Sequence, residues 1–382
     1  MVATACGGGG ESADDVPAVT PAPDSVSAQD NITIPIAIDG RPDDFSTSLL
    51  TFFPSVVEAH AGDTVKFTSR FGGEPHTVAL GTLVDAVLAP TTSGGQPSAE
   101  ALAKLPKFFD NAAPILPLSE PLQAGGQPCF VETGDPPTVE PCSAEQQEQP
   151  EEFTGRQAVY SSGFLPDEET FSVKLADDIA PGVYNFMCVV HGASERGSIT
   201  VVPDTQPVAS PEQVTKLGKE QFDAAVAALR PEAEAILAAT STTITVGADA
   251  DDAGLGFTTD ANVFPEEVSV PTGGTVTWSI NHAHTVSFNS PEDARPLYLA
   301  EGDRVRINRK GADPANSPGQ VVGGPLAIDG GTFDGTGFKN SGLLVTLDEA
   351  APVTYSVTFT KPGTYKYRCN FHLDMEGTIK VG

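Results

Sequence analysis

The sequence predicts an all-β protein made of two antiparallel sandwiches that are joined by a helical linker. The first observation is composition: the 382 residues include 38 Gly and 33 Pro but only 7% aromatic residues. Such a composition is typical of short strands connected by many turns. The second observation is an internal repeat, and the third is an amphipathic stretch between its two copies. The length is sufficient for two domains with a hydrophobic core each.

The repeat has two matching blocks. Residues 53–80, "FPSVVEAHAGDTVKFTSRFGGEPHTVAL", match residues 264–288, "FPEEVSVPTGGTVTWSINHAHTVSF". Residues 161–191 match residues 340–372, and each contains a Pro-Gly turn before a strand of alternating aromatic residues that ends at a Cys. We therefore expect domain 1 over 31–203 and domain 2 over 244–382. Residues 1–30 are expected to form a disordered tether.

The segment 204–243 is predicted to be a helical linker. Ser210 is a suitable N-cap, Pro211 suits the first turn and Gln213 completes a capping box. Apolar residues then recur at roughly helical spacing, which indicates packing on one or both domains. Pro231 is expected to break or kink the helix.

Each domain also carries a long insertion between its His-Thr-Val strand and its Cys strand. The first holds a predicted short helix at 98–109 and a loop that Cys129 and Cys142 are expected to close as a disulfide, which implies an oxidising compartment. The second holds the Gly-rich run 321–338. This run lacks the Gly-Lys-Ser/Thr ending of a phosphate-binding loop, and we expect it to be a flexible surface loop.

Charge and the N-terminus limit the possible partners. The net charge of −30 argues against nucleic acid, because phosphate binding needs basic patches. No segment has the apolar length of a membrane span. The stretch "VATACGGGGESADD" resembles the end of a bacterial lipoprotein signal. That resemblance implies lipidation of Cys6 and an extracytoplasmic protein held at the membrane surface.

Copper ligands are suggested by the spacing of rare residues. "CNFHLDM" places Cys369, His372 and Met375 in one short loop, and "HTVSF" supplies His284 from an earlier strand. A thiolate and two imidazoles in a plane, with a distant axial thioether, form the blue-copper electron-transfer arrangement. The sequence therefore predicts a complete copper site in domain 2.

Domain 1 repeats three of these four residues. His76 precedes Thr-Val, and Cys188 and His191 have the same Cys-x-x-His spacing. Counted back from the Gly that ends each loop, Glu195 occupies the position of Met375. We expect a second copper site of altered character in domain 1. Three arrangements remain open: a three-coordinate site with Glu195 pointing to solvent, a site with Glu195 as an oxygen ligand, or an empty site.

These motifs resemble two tandem cupredoxins, the family of plastocyanin, amicyanin and pseudoazurin. The resemblance covers the β scaffold of both halves but neither the insertions nor the linker. It implies Greek-key sandwiches, type 1 copper in domain 2 and electron transfer between redox proteins, with a cytochrome or an oxidase as partner. It also implies that the imidazole edge of His372 is exposed within an apolar patch where the partner docks.

Two other functions remain open. Two-domain cupredoxins include copper oxidoreductases such as nitrite reductases and multicopper oxidases, which need further histidine ligands. Only His60, which we expect to be exposed, and His282 are spare here. Alternatively, one domain binds copper or a partner without passing electrons.

Overall fold

A computed structural model describes residues 31–70, 72–107, 124–250, 259–301, 304–313, 322–323, 326–346 and 352–382. Cys6 and the expected tether lie outside these described residues. Strands dominate throughout, and the predicted all-β class is confirmed. We refer to residues 31–203 as the N-terminal half and to residues 244–382 as the C-terminal half.

The N-terminal half forms two sheets of its own and contributes one further strand, β2 (Ser46–Leu49), to a third sheet. Its strands are β1 (Thr33–Ile38), β2 (Ser46–Leu49), β3 (Phe52–Phe53), β4 (Val56–Ala59), β5 (Thr64–Ser69), β6 (Ala79–Leu80), β7 (Cys129–Val131), β8 (Val159–Ser161), β9 (Thr170–Lys174), β10 (Gly182–Cys188) and β11 (Gly192–Val201). One sheet has the order β3-β1-β5-β9, and the other has the order β4-β11-β10-β6-β8-β7. Apolar side chains from both sheets form one core between them.

The C-terminal half is built from the remaining strands. They are β12 (Thr243–Val246), β13 (Ala248–Asp249), β14 (Thr259–Asn262), β15 (Glu267–Val270), β16 (Thr275–Ile280), β17 (Ala283–His284), β18 (Ser287–Phe288), β19 (Tyr298–Glu301), β20 (Arg304–Ile307), β21 (Val322–Gly323), β22 (Ala327–Phe333), β23 (Lys339–Asn340), β24 (Leu344–Val345), β25 (Val353–Phe359), β26 (Gly363–Arg368) and β27 (Glu376–Val381). The main sheets have the orders β12-β16-β25-β22 and β15-β27-β26-β18-β23, with smaller sheets β17-β24-β21 and β19-β20.

The two halves share one pattern of strand pairing. β1 runs parallel to β5 as β12 does to β16, and β11 runs parallel to β4 as β27 does to β15. The antiparallel hairpin β10-β11 corresponds to β26-β27. Within these hairpins Gly197 pairs with Phe186, and Gly377 pairs with Tyr367. The register therefore places Glu195 and Met375 at equivalent positions, two residues before the paired glycine.

Both paired glycines are required by close packing. A Cβ at Gly197 would lie 2.3 Å from the Phe186 ring, and one at Gly377 would lie 2.6 Å from the Tyr367 ring. Any side chain at either position would push the second hairpin strand away from its aromatic neighbour. The strand that carries each loop is thus held tightly against its sheet.

Four α-helices occur among the described residues: α1 (Thr82–Leu88), α2 (Ala99–Leu102), α3 (Pro211–Leu237) and α4 (Arg309–Ala312). Short 3-10 helices cover Ala89–Ser93, Glu145–Gln147 and Glu292–Ala294. In α3 the predicted capping box is present, since Ser210 and Gln213 bond each other's backbone amides. Of the two effects expected of Pro231, a break or a kink, the break does not occur, because the helix continues to Leu237. No helix of the described residues has the length and apolar character to span a membrane.

The two halves contact each other directly. β2 pairs with β14 in the sheet β13-β14-β2, so one sheet contains strands from both halves. The buried face of α3 packs with residues of both halves in a single apolar cluster. The helix is therefore a packed element that fixes one half against the other.

Two expectations about the insertions have different outcomes. Cys129 and Cys142 form the predicted disulfide. The Gly-rich run does not form a flexible loop over its whole length, because Ala327–Phe333 is strand β22, paired with β25 at the edge of a sheet. Backbone hydrogen bonds to β25 hold this segment despite its glycines.

Candidate metal centre

The C-terminal cluster consists of His284, Cys369 and His372. His284 lies in β17, and the other two residues lie in the loop between β26 and β27. The Nδ1 atoms of His372 and His284 are 3.0 Å apart, and the Cys369 Sγ lies 3.9 Å from His372 Nδ1. All three side chains are buried. His372 thus directs Nδ1 toward both the thiol and His284, and one donor atom from each of the three residues lies within 4.8 Å of the others.

Backbone amides hold the thiol of Cys369 in place. The amides of Thr285, Phe371 and His372 donate to Sγ at 3.3, 3.3 and 3.4 Å. The Thr285 hydroxyl in turn accepts a 2.6 Å hydrogen bond from the Asn370 amide. Such donors stabilise a thiolate, which is the form of cysteine that binds metals.

Electrostatics in this cluster favour a thiolate beside at least one neutral imidazole. Burial acts to raise the pKa of Cys369, but hydrogen bonds from His372 and from the backbone amides outweigh it and lower the pKa. Burial and the nearby His372 charge hold the pKa of His284 well below its usual value. For His372, burial acts to lower the pKa, but Cys369 and Glu74 raise it to about 9. His284 therefore presents a neutral ring nitrogen, as metal ligation requires.

Met375 is the fourth predicted residue of this site. It is buried, and its carbonyl oxygen accepts a 3.0 Å hydrogen bond from the Cys369 amide. This bond closes the loop that carries Cys369 and His372. The thioether therefore belongs to the same short, hydrogen-bonded loop as two of the three cluster residues.

The N-terminal cluster consists of His76, Cys188, His191 and Glu195. One ligand atom from each lies within 4.8 Å of the others. The Glu195 carboxylate lies 3.0 Å from His76 Nδ1 and 2.6 Å from His191 Nδ1. Cys188 accepts from the Thr77 amide at 3.3 Å, as Cys369 does from Thr285. The same backbone hydrogen bond, from the amide of a threonine, thus holds the thiol in each half.

Glu195 does not point to solvent, which contradicts one of the three arrangements left open by the sequence. Its side chain is 0% exposed. Burial acts to raise the pKa of Glu195, but the charges and hydrogen bonds of His76 and His191 lower it to about 2. Burial likewise acts to lower the pKa of His76, and the attraction of Glu195 raises it well above the usual value. Glu195 is therefore an ionised carboxylate among the other donors.

The expected exposure of His372 is wrong. Its side chain is only 2% exposed, because Nε2 lies 3.2 Å from Glu74 Oε1 of the N-terminal half. Glu74 follows two glycines that allow this close contact, and the Leu373 amide donates to the Gly72 carbonyl at 2.9 Å. The edge of this ring therefore faces the other half of the chain and not a free surface.

The two spare histidines are engaged elsewhere. His60 is buried, contrary to expectation, and its Nε2 lies 2.7 Å from the Gln206 carbonyl oxygen. His282 Nε2 lies 3.1 Å from Asp260 Oδ1. Neither histidine is part of the two clusters.

Sequence reasoning missed two carboxylates. Asp39 Oδ2 lies 3.3 Å from His76 Nε2 and is wholly buried, and Glu74 lies between His191 and His372. Asp39 follows β1, whose last residue, Ile38, pairs with Ser69. The only sequence signal for Asp39 is a difference between the two repeats. Asp39 follows β1, whereas the equivalent position after β12 is Gly247, which carries no side chain.

The donor atoms fit a copper ion. Sulfur and imidazole donors suit copper, whereas magnesium and calcium prefer oxygen donors. His284 Nε2 has no hydrogen-bond partner within the described part of the chain. A Cβ at Gly247 would lie 2.8 Å from that atom. The His284 ring is thus held by packing on its Nε2 side, and its Nδ1 faces His372.

Solved structures similar to the chain are cupredoxins. Auracyanin from the photosynthetic bacterium Roseiflexus castenholzii is 18% identical over 45% of this chain and 97% of its own, with a TM-score of 0.22. A purple cupredoxin from Nitrosopumilus maritimus is 20% identical over 30% of this chain and 77% of its own, with a TM-score of 0.15. A mutant fern plastocyanin is 16% identical over 44% of this chain and 99% of its own, with a TM-score of 0.19. The comparison with family models finds no matching family, and that with curated proteins finds no matching protein.

Proposed function

We propose that this protein is an extracytoplasmic copper protein that carries electrons between redox partners. Domain 1 (31–203) and domain 2 (244–382) would each hold one copper ion. The observation that carries this proposal is the convergence of a thiol and two Nδ1 atoms at the buried C-terminal cluster. A thiolate with two imidazoles suits an ion that alternates between two oxidation states.

Rigidity of the C-terminal cluster supports electron transfer. Cys369 is fixed by backbone amides, His284 lies within a paired strand, and Met375 belongs to the same closed loop as Cys369. Ligands that are held before the metal binds rearrange little when its charge changes. In domain 2, His284, Cys369, His372 and Met375 would hold a type 1 copper ion, which would supply one-electron redox chemistry.

Glu195 would be an oxygen ligand of a different site in domain 1. Its buried carboxylate lies within 3.0 Å of Nδ1 of both His76 and His191. An anionic oxygen ligand favours Cu(II) over Cu(I), because it stabilises the higher charge. We therefore expect the two sites to differ in absorption spectrum and in reduction potential.

The disulfide supports a location outside the cytoplasm. Cys129–Cys142 belongs to a class of bond that persists in oxidising compartments. Lipidation at Cys6 would confine the protein to a membrane surface, where a cytochrome or an oxidase would be the redox partner. Mass spectrometry of the N-terminal peptide from protein made in a bacterial host tests the lipid.

Copper reconstitution of the full chain tests the proposed function. We expect two copper ions per chain and two thiolate-to-copper absorption bands with distinct EPR signals. Cys369→Ala should remove one band and Cys188→Ala the other. Cys6→Ala, which removes a thiol outside both clusters, is the matched control and should leave both bands intact. One copper per chain would contradict the domain 1 site, and absence of a reversible one-electron reduction would contradict electron transfer.

A copper oxidoreductase would need further histidine ligands, and the described residues offer none at the two clusters beyond those already named. All six histidines lie in described segments, and the two outside the clusters contact Gln206 and Asp260. Turnover of nitrite or of a phenol by the copper-loaded protein would favour this alternative. Copper binding without reversible reduction would favour a copper-handling module.

A further inference from the structure

The two clusters lie on either side of one carboxylate. Glu74 Oε2 lies 3.7 Å from His191 Nε2, and Glu74 Oε1 lies 3.2 Å from His372 Nε2. Glu74 belongs to the N-terminal half, and it is separated from His372 by 298 residues in the chain. A single side chain thus contacts one candidate ligand from each cluster.

The ring orientations make this contact a link between the clusters. His191 directs Nδ1 toward Glu195 at 2.6 Å, and His372 directs Nδ1 toward His284 at 3.0 Å. Each ring therefore uses one nitrogen for its own donor set and turns the other nitrogen toward Glu74. The path from one cluster to the other runs from the His191 imidazole through the Glu74 carboxylate to the His372 imidazole. Its two non-bonded gaps are the 3.7 Å and 3.2 Å contacts on either side of Glu74.

The backbone on both sides is built for close approach. A Cβ at Gly73 would lie 2.3 Å from the Phe371 carbonyl oxygen, and the φ angle of Gly73 is +129°. Only glycine adopts that conformation easily, and only glycine leaves room for the opposing loop. The Leu373 amide adds a hydrogen bond to the Gly72 carbonyl at 2.9 Å. The contact is thus a packed interface and not a chance approach of two surface loops.

Charge differs sharply between the two clusters. The N-terminal cluster includes Glu195 and is flanked by Asp39, which lies 3.3 Å from His76 Nε2. At the equivalent positions the C-terminal cluster has Met375 and Gly247, neither of which carries charge. The Glu195 carboxylate is itself a candidate ligand, and an anionic oxygen stabilises the more oxidised, more positive state of a bound ion. An electron shared by the two sites is therefore expected to reside at the C-terminal cluster.

Resting on the electron-carrier function proposed above, we propose that Glu74 couples the two sites, so that an electron passes within the molecule from the N-terminal to the C-terminal site. In this exchange the N-terminal site loses one electron and is oxidised, and the C-terminal site gains it and is reduced. No proton or further reactant is needed. The C-terminal site then receives its electron through the chain itself, by way of Glu74 and His372.

Pulse radiolysis of the copper-loaded, oxidised full chain tests this coupling. Less than one electron per molecule is delivered, and the two absorption bands, assigned with Cys188→Ala and Cys369→Ala, are followed in time. We expect the final electron to bleach the C-terminal band. Glu74→Ala should slow the redistribution about tenfold, equivalent to about 1.4 kcal/mol of activation free energy. Glu169→Gln, an exposed glutamate of the same half, is the control and should leave the rate unchanged.

Each outcome is decisive. An unchanged rate in Glu74→Ala, with copper content and both spectra intact, would overturn the link. A final electron on the N-terminal site would overturn the direction. If Glu74→Ala loses copper, Glu74→Asp keeps the carboxylate on a side chain one methylene shorter, which widens the same contact and should slow the exchange. Failure of wild-type copper to bind or to be reduced reversibly would instead refute the proposed function, and the inference with it.

Discussion

Replacing Glu195 by Gln in the copper-free protein should destabilise it, with a characteristic dependence on pH. The buried carboxylate lies 3.0 Å from His76 Nδ1 and 2.6 Å from His191 Nδ1. Removing one partner of a buried ion pair typically costs about 3–5 kcal/mol of unfolding free energy. Asp39 and Glu74 still face the two rings, so we expect the lower end, about 3 kcal/mol. For a half of this size, that loss corresponds to a fall in Tm of about 6–12 °C.

The sign of the pH dependence follows from the pKa shifts. The pKa of Glu195 is lowered from 4.5 to about 2, so its contribution is complete above pH 4.5 and is lost as pH falls toward 2. The pKa values of His76 and His191 are raised above 6.5, so their contribution is complete below pH 6.5 and is lost as pH rises. Linkage therefore predicts the largest effect of the substitution between about pH 4.5 and 6.5.

Thermal unfolding of copper-free wild type and Glu195→Gln, followed by circular dichroism from pH 3 to 9, measures this difference. Glu169→Gln removes an exposed carboxylate of the same half and should change Tm little at any pH. A difference below about 1 kcal/mol, the size of an ordinary surface pair, would refute the buried ionised carboxylate. A difference that does not vary with pH would refute the assigned protonation states.

Two further substitutions test contacts that stabilise the fold, namely a buried hydrogen bond beside the C-terminal cluster and the disulfide of the first insertion. Thr285→Val removes the hydroxyl that accepts the buried Asn370 amide at 2.6 Å, and it should cost about 1–3 kcal/mol in urea denaturation, whereas Thr285→Ser should restore most of the loss. Equal losses in both variants would exclude the hydrogen bond as the cause. Cys142→Ser opens the disulfide loop, whose cysteines are 13 residues apart, and should lower stability by about 3 kcal/mol. Reductant should lower the Tm of wild type to that of the variant and leave the variant unchanged.

Local sequence patterns predicted the elements that depend on neighbouring residues. The capping box of α3 and the hairpins that end each repeat follow from residues a few positions apart. Cys-x-x-His spacing also brings a thiol and an imidazole together within one loop, so this pair of candidate ligands was predicted in each half without a structure. The equivalence of Glu195 and Met375 was found by counting from a shared glycine, and the strand register supports it.

Expectations failed where a remote contact overrides a local pattern. The segment Ala327–Phe333 is rich in glycine and suggested a loop, but pairing with β25 makes it a strand. Pro231 suggested a break or a kink, but α3, which packs against both halves, does not break there and continues to Leu237. His60 suggested an exposed turn, and a contact with Gln206 buries it.

The sequence by itself determined the all-β class. It also predicted the duplication and the donor residues, because rare residue types at short spacing have few other uses. Only the tertiary structure decided that Glu195 is buried, that Asp39 flanks one cluster and that Glu74 joins both. These facts depend on how the two halves pack, and packing brings together side chains as far apart as Glu74 and His372, which are 298 residues apart in the chain. The histidines that pack against Glu195 keep this buried carboxylate ionised, which no spacing in the sequence can show.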